Sequence, residues 1–128
     1  MKKKFLLILA TGHVFTDLNQ GALPAILPFI IASGGLSYAQ AAGLSFAIAF
    51  SSSIVQPIFG IMADKLSKSW LLPAGVLLAG CGLALIGFFP NHYWIMFSVT
   101  VISGFGVAAY HPESARMANK HADRKSVV

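Results

Sequence analysis

Gly60-Ile61-Met62-Ala63-Asp64-Lys65-Leu66-Ser67-Lys68-Ser69 is the stretch on which the fold turns. It is a short charged interruption between two apolar runs, at about residues 39–62 and 70–89. Outward from it, Lys2, Lys3 and Lys4 precede a first apolar run at about 5–31, and Arg116, Lys120, Arg124 and Lys125 follow a fourth at about 93–110. With Lys65 and Lys68 these make up all nine lysines and arginines of the chain. The alternate turns, at 33–38 and 90–92, carry none. Lys and Arg resist translocation and so accumulate in cytoplasmic loops of membrane proteins. The pattern predicts an all-α membrane protein with four transmembrane helices, multi-pass in the cell membrane, with both ends of this segment cytoplasmic and no soluble domain.

Composition agrees. Of 128 residues, 56% are hydrophobic and 10% charged, with a mean hydropathy of +0.74. A soluble domain carries about 25% charged residues. The net charge of +5 sits at helix ends without interleaved aromatics, so it is topological and does not imply a nucleic-acid partner. Cys81 is the single cysteine, inside an apolar run, and is expected to be a small packing residue. The basic start followed by residues 5–10 looks like a secretory leader, but the apolar core is short and no A-x-A-like site follows closely, so a retained helix is expected.

The first run is polar in its early part and holds Pro24 and Pro28 in its second half. Proline removes an amide donor and kinks a helix, which membrane bundles tolerate. The second run carries Ser53, Gln56, Pro57, Gly60 and Asp64 as a stripe at helical spacing. The third is dotted with Gly75, Gly80, Gly82 and Gly87, and the fourth holds Gly104 and Gly106 and is expected to extend past Pro112. Small residues let helix backbones approach where lipid supplies no hydrophobic drive between them. Trp70, Tyr93 and Trp94 begin their helices, as interfacial anchors do.

Asp17 lies near the middle of the first run. A carboxylate there costs on the order of 2.5–3.5 kcal/mol to insert, so it faces a cavity or a partner. His13, Thr16, Asp17 and Gln20 follow i, i+3, i+4, i+7 and are predicted to share one face, a wall of a substrate or proton pathway. His13 beside Asp17 suits proton coupling. The alternative is a structural polar clamp to another helix. His111 and Glu113 form a second polar group at the inner end of the fourth run, with a gating or substrate role weighed against an interfacial Glu113–Arg116 pair at i, i+3. Span counting puts His111 and Glu113 near the cytoplasmic face and Asp17 at mid-membrane, so no metal site is expected from them.

Gly60 to Ser69 resembles the loop signature G-x-x-x-D-[RK]-x-G-[RK]-[RK] of the major facilitator superfamily. Gly60, Asp64, Lys65 and Lys68 match, whereas Ser67 and Ser69 depart from it. Two further stretches resemble the fosmidomycin-resistance branch: Gly12-His13 through Asp17-Leu18-Asn19-Gln20 to Leu23-Pro24-Ala25, and Ser103-Gly104 through Tyr110-His111-Pro112-Glu113. The resemblance covers nearly the whole chain and implies part of the amino-terminal six-helix bundle of a secondary transporter, working by alternating access around a midplane site. It implies an efflux-type exporter of a small molecule or drug, linked to antibiotic resistance. It also implies that Gly60, Asp64, Lys65 and Lys68 form a conformational latch, with Asp64 securing the loop against a helix of the second half. A carboxylate at a helix N-terminus is favourable, which agrees. Lys65 and Lys68 are expected either to pair with Asp123 or Glu113 or to serve as topology signals alone. Many proton-driven exporters of the superfamily carry an arginine in the fourth helix where Thr100 stands, so coupling is expected through Asp17, His13, Glu113 or residues outside this chain. An anionic phosphonate would need a cationic, donor-rich site, and this stretch offers only His13, His111 and Arg116.

The implied partners are the lipid bilayer, a small-molecule substrate, protons, and the missing carboxy-terminal helices, because four helices cannot make two bundles and a fragment is expected. One rival is a complete four-helix small multidrug exporter acting as a dimer. The other is a non-transporting membrane subunit, against which the insertion cost of the His13–Asp17 face argues. No nucleophile–base pair, phosphate loop or cofactor fingerprint appears, so neither an enzyme nor a cofactor is expected.

Overall fold

A computed structural model describes residues 2–66 and 70–123, with side chains over 3–65 and 70–120. Four helices follow one another: α1 (Lys2–Ala32), α2 (Tyr38–Leu66), α3 (Leu71–Ile86) and α4 (Tyr93–Asp123). The fold is an all-α membrane fold. Three of its helices, α1, α2 and α4, are long and apolar enough to cross a bilayer. The 16 residues of α3 span about 24 Å against a hydrocarbon core of about 30 Å. Turn bonds from the amides of Gly87, Phe88 and Phe89 to the carbonyls of Ala84, Leu85 and Ile86 carry the coil further.

Local chemistry defines the first turn closely. Gly34 takes φ +77°, its amide bonds Ile31 O at 2.9 Å, and the Gly35 amide bonds Ile30 O at 3.1 Å. This is a Schellman ending, which satisfies the last carbonyls of α1 and favours glycine at the left-handed position. α2 then opens with a reciprocal capping box. The Ser37 amide donates to Gln40 Oε1 (2.9 Å), and the Gln40 amide donates to Ser37 Oγ (3.2 Å).

α4 is the central helix, packed most extensively on α2 and α3, while α1 makes lighter contact with all three. Backbones nearly touch between α3 and α4. A methyl group on Gly75 would stand 2.8 Å from Gly106 O, and one on Gly82 would stand 2.8 Å from Val99 O. Ser103 fills the gap by donating to Ala79 O across the helices at 2.8 Å. Gly104 meets Ser51 and Ile48 of α2 in the same way. The apolar core, with Leu23, Leu27, Leu44, Ile48, Ile86 and Met96, gathers at the end of the bundle holding the two short turns.

Cys81 faces outward instead of packing inside, because Ala79 and Gly82 take the α3 face that meets α4. Thr100 is fully buried and donates to Met96 O within its own helix. Pro112 lies inside α4 and does not end it.

Candidate functional site

α1 places His13 and Asp17 one turn apart, and their side chains meet, with Nε2 3.3 Å from Oδ2. From α4, His111 reaches the other carboxylate oxygen, Nε2 to Oδ1 at 3.4 Å. The imidazoles stand edge to face, with centroids 4.7 Å apart. Asp17 is 52% exposed and His111 22%, so the cluster opens on one side and is backed by protein on the other. A carboxylate between two imidazoles can exchange protons or accept a cation.

The expectation that His111 and Asp17 lie at different depths is overturned. It took Pro112 as close to the inner end of the fourth helix. α4 instead runs to Asp123, about three turns beyond His111. The contact of His111 with Asp17 at 3.4 Å sets the two residues level with each other. With that correction the depth argument against a metal site falls: the ligand atoms of His13, Asp17 and His111 all lie within 4.8 Å of one another.

A clamp holds α1 to α4 at this level. Tyr110 passes its ring over Gly12 and donates its hydroxyl to Leu9 O at 2.8 Å. Any side chain on residue 12 would occupy the space of the phenol. Tyr110 also lies 6.2 Å from the His13 ring and 6.4 Å from the His111 ring, both edge-on. Sequence reasoning did not find this clamp. Gly12 and Tyr110 are visible in the chain, but no spacing rule links α1 to α4.

Two predicted pathway residues do not join the open face. Thr16 is fully buried and donates to Gly12 O. Leu9, Thr16 and Leu23 recur every seven residues, and all three are buried, so they form the seam of α1 that packs inward. Glu113 is also fully buried and is held by both prongs of Arg116, at 2.9 Å to Nε and 2.6 Å to Nη2. A carboxylate enclosed in this way is a structural ion pair. Gln20 lies at the edge of the polar face and reaches Ser52 of α2 at 3.4 Å.

Of the predicted latch residues, Gly60, Asp64 and Lys65 lie at the end of α2. Gly60 faces Pro112, and a methyl group there would sit 3.8 Å from the proline Cβ, an ordinary contact. Asp64 is exposed and opens, with Gly60, Arg116 and Lys120, onto a groove between α2 and α4. Lys65 is exposed. Glu113 is taken by Arg116 and not by Lys65. Lys68 and the side chain of Asp123 lie outside the described residues. A second groove, about 370 Å³, continues from Gly60 and Pro112 to Ser53, Gln56, Pro57 and His111, so the sequence stripe on α2 borders the His111 end of the cluster.

The family model described as Major Facilitator Superfamily matches residues 9–127. The chain is 32% identical over 120 residues to the MFS-type transporter YfnC of Bacillus subtilis, covering 94% of this chain and 29% of that protein. It is 27% identical over 110 residues to the fosmidomycin resistance protein of Escherichia coli, covering 86% of this chain and 27% of that one. The multi-drug resistance efflux pump PmrA of Streptococcus pneumoniae is 27% identical over 90 residues, covering 67% and 23%. The chain thus spans less than a third of the curated relatives it matches. No solved structure is a significant match.

Proposed function

The chain belongs to the Major Facilitator Superfamily, and from that premise we propose that it forms part of a secondary active transporter that exports a small molecule by alternating access. Membership favours this reading over the four-helix exporter. The observation that carries the proposal is the cluster of His13, Asp17 and His111, three ionisable groups from two membrane-length helices, held together and open on one side. Such groups inside a span mark substrate or proton pathways. Alternating access needs the site reachable from one side at a time, and residues near the middle of α1 and α4 suit a site at the bilayer midplane.

Export is supported by two relatives named for drug resistance or efflux. Proton coupling is assigned to the same three residues, since Asp17 lies within reach of both imidazoles. Glu113 has no place in that relay, because its carboxylate is fully committed to Arg116. Asp64 acts as the latch between this bundle and the remaining helices of the transporter, with Gly60, Lys65 and Lys68 around it. The basic residues set both ends of the segment on the cytoplasmic side of the plasma membrane.

The test is Asp17→Asn in the full-length protein, in cells lacking other exporters, with accumulation of ethidium and of fosmidomycin as readouts. The variant is expected to insert normally and lose transport of whichever compound the unaltered protein exports. Full transport by a normally inserted variant removes Asp17 from the mechanism.

A further inference from the structure

From the geometry we infer that His13, Asp17 and His111 form a binding site for a divalent first-row transition cation. The inference names a ligand class for the face assigned above to the pathway, and it relies on that assignment only for access from water. Two ligands each about 2.0–2.1 Å from a tetrahedral ion stand about 3.3–3.4 Å apart. His13 Nε2 and His111 Nε2 stand 3.3 and 3.4 Å from the Asp17 carboxylate. These separations are long for N–H···O hydrogen bonds, whose usual length is about 2.9–3.0 Å. They run to different oxygens, Oδ2 for His13 and Oδ1 for His111, and each is close to one ligand–ligand separation around such an ion. All three ligand atoms lie within 4.8 Å of one another, so one ion reaches them with small side-chain rotations.

The donor set selects the ion. Two imidazoles and a carboxylate suit Zn²⁺, Co²⁺, Ni²⁺ or Fe²⁺ and are poor for Mg²⁺ and Ca²⁺, which prefer all-oxygen shells. Three protein ligands leave a position free, and the exposed side of Asp17 gives water or a substrate group access to it. The two imidazoles arrive on different helices, and the Tyr110 hydroxyl bonded to Leu9 O sets the distance between those helices. The convergence therefore belongs to the helix packing and not to one flexible side chain. Among the described residues, the ion pairs of Asp17 are with the two histidines alone.

The experiment uses the full-length protein, purified in detergent without a histidine tag and titrated with Co²⁺, whose visible absorption reports low-coordinate nitrogen and oxygen ligation. One equivalent is expected to give the absorption and Zn²⁺ to abolish it. His111→Ala and Asp17→Asn should each weaken binding at least about tenfold. His13→Ala, a change at an exposed position with little bearing on folding, should do the same. His92→Ala, an exposed histidine in the turn before α4, should leave it unchanged. Absence of the absorption in the unaltered protein overturns the inference, as does equal binding by the His111→Ala variant or loss of binding in His92→Ala. Because the readout is spectroscopic, a normal Co²⁺ site in a protein whose Asp17→Asn variant still transports would refute the pathway reading and leave the cation site standing.

Discussion

Replacing Arg116 by alanine should destabilise the bundle far more than replacing its partner Glu113 by glutamine. The Glu113 carboxylate is fully buried, and both its oxygens are bonded by Arg116 at 2.9 and 2.6 Å. Arg116 keeps 17% of its side chain exposed. Deleting the arginine strands a buried charge, a change that costs roughly 3–5 kcal/mol when the partner is wholly enclosed. The partial exposure of the guanidinium places this case at the lower end, about 3 kcal/mol. Glu113→Gln removes the charge, keeps one acceptor oxygen for Arg116, and leaves a cation with some access to water. Its cost is that of a weakened hydrogen bond, about 1 kcal/mol. The difference of about 2 kcal/mol is roughly a thirtyfold change in the unfolding equilibrium. Unfolding in mixed micelles, titrated with a denaturing detergent, measures it. The double variant should be more stable than Arg116→Ala alone, because no carboxylate remains to be stranded. Equal costs for the single variants, or a double variant as unstable as their sum, would refute the assignment of Glu113 as a buried charge neutralised by Arg116.

The α3–α4 contact offers a paired test. Gly106→Ala places a methyl group against Ala79 N and 2.6 Å from Gly75 O, so the helices must separate at a cost of about 1–3 kcal/mol. Gly21→Ala, with nothing within 4 Å, should be neutral or stabilising by up to about 1 kcal/mol. The same micelle titration compares them, and equal effects would contradict the close approach. Tyr110→Phe removes the hydroxyl that bonds Leu9 O and should cost about 1 kcal/mol. Amide exchange should rise in the first half of α1 and not in α3, and uniform exchange would count against the clamp. Asp64→Ala, at an exposed position in the α2–α4 groove, should slow transport with near-normal insertion. An unchanged rate argues that Asp64 is not a latch.

Membrane class, helix number and the polarity of α1 were legible in the residues, since each depends on quantities that add along the chain. Transfer free energy sums over an apolar run, and a charged loop resists crossing whatever it later packs against. The pairing of His13 with Asp17 was equally legible, because i, i+4 neighbours meet on any helix. Burial was harder to read. Thr16 sits on the edge of the His13 stripe, and periodicity alone does not say which edge turns inward. Glu113 shows the same limit, since its spacing to Arg116 was plain while its full enclosure depended on the neighbouring helices. His111 joined Asp17 only in the tertiary structure. Its level relative to Asp17 depends on how α1 and α4 pack, which span counting along the chain does not give. A contact between α1 and α4 requires the Gly12 gap, the Tyr110 clamp and the register of two helices nearly a hundred residues apart. Local rules extend only about one turn along a helix, so the packing of the bundle alone could bring those groups together.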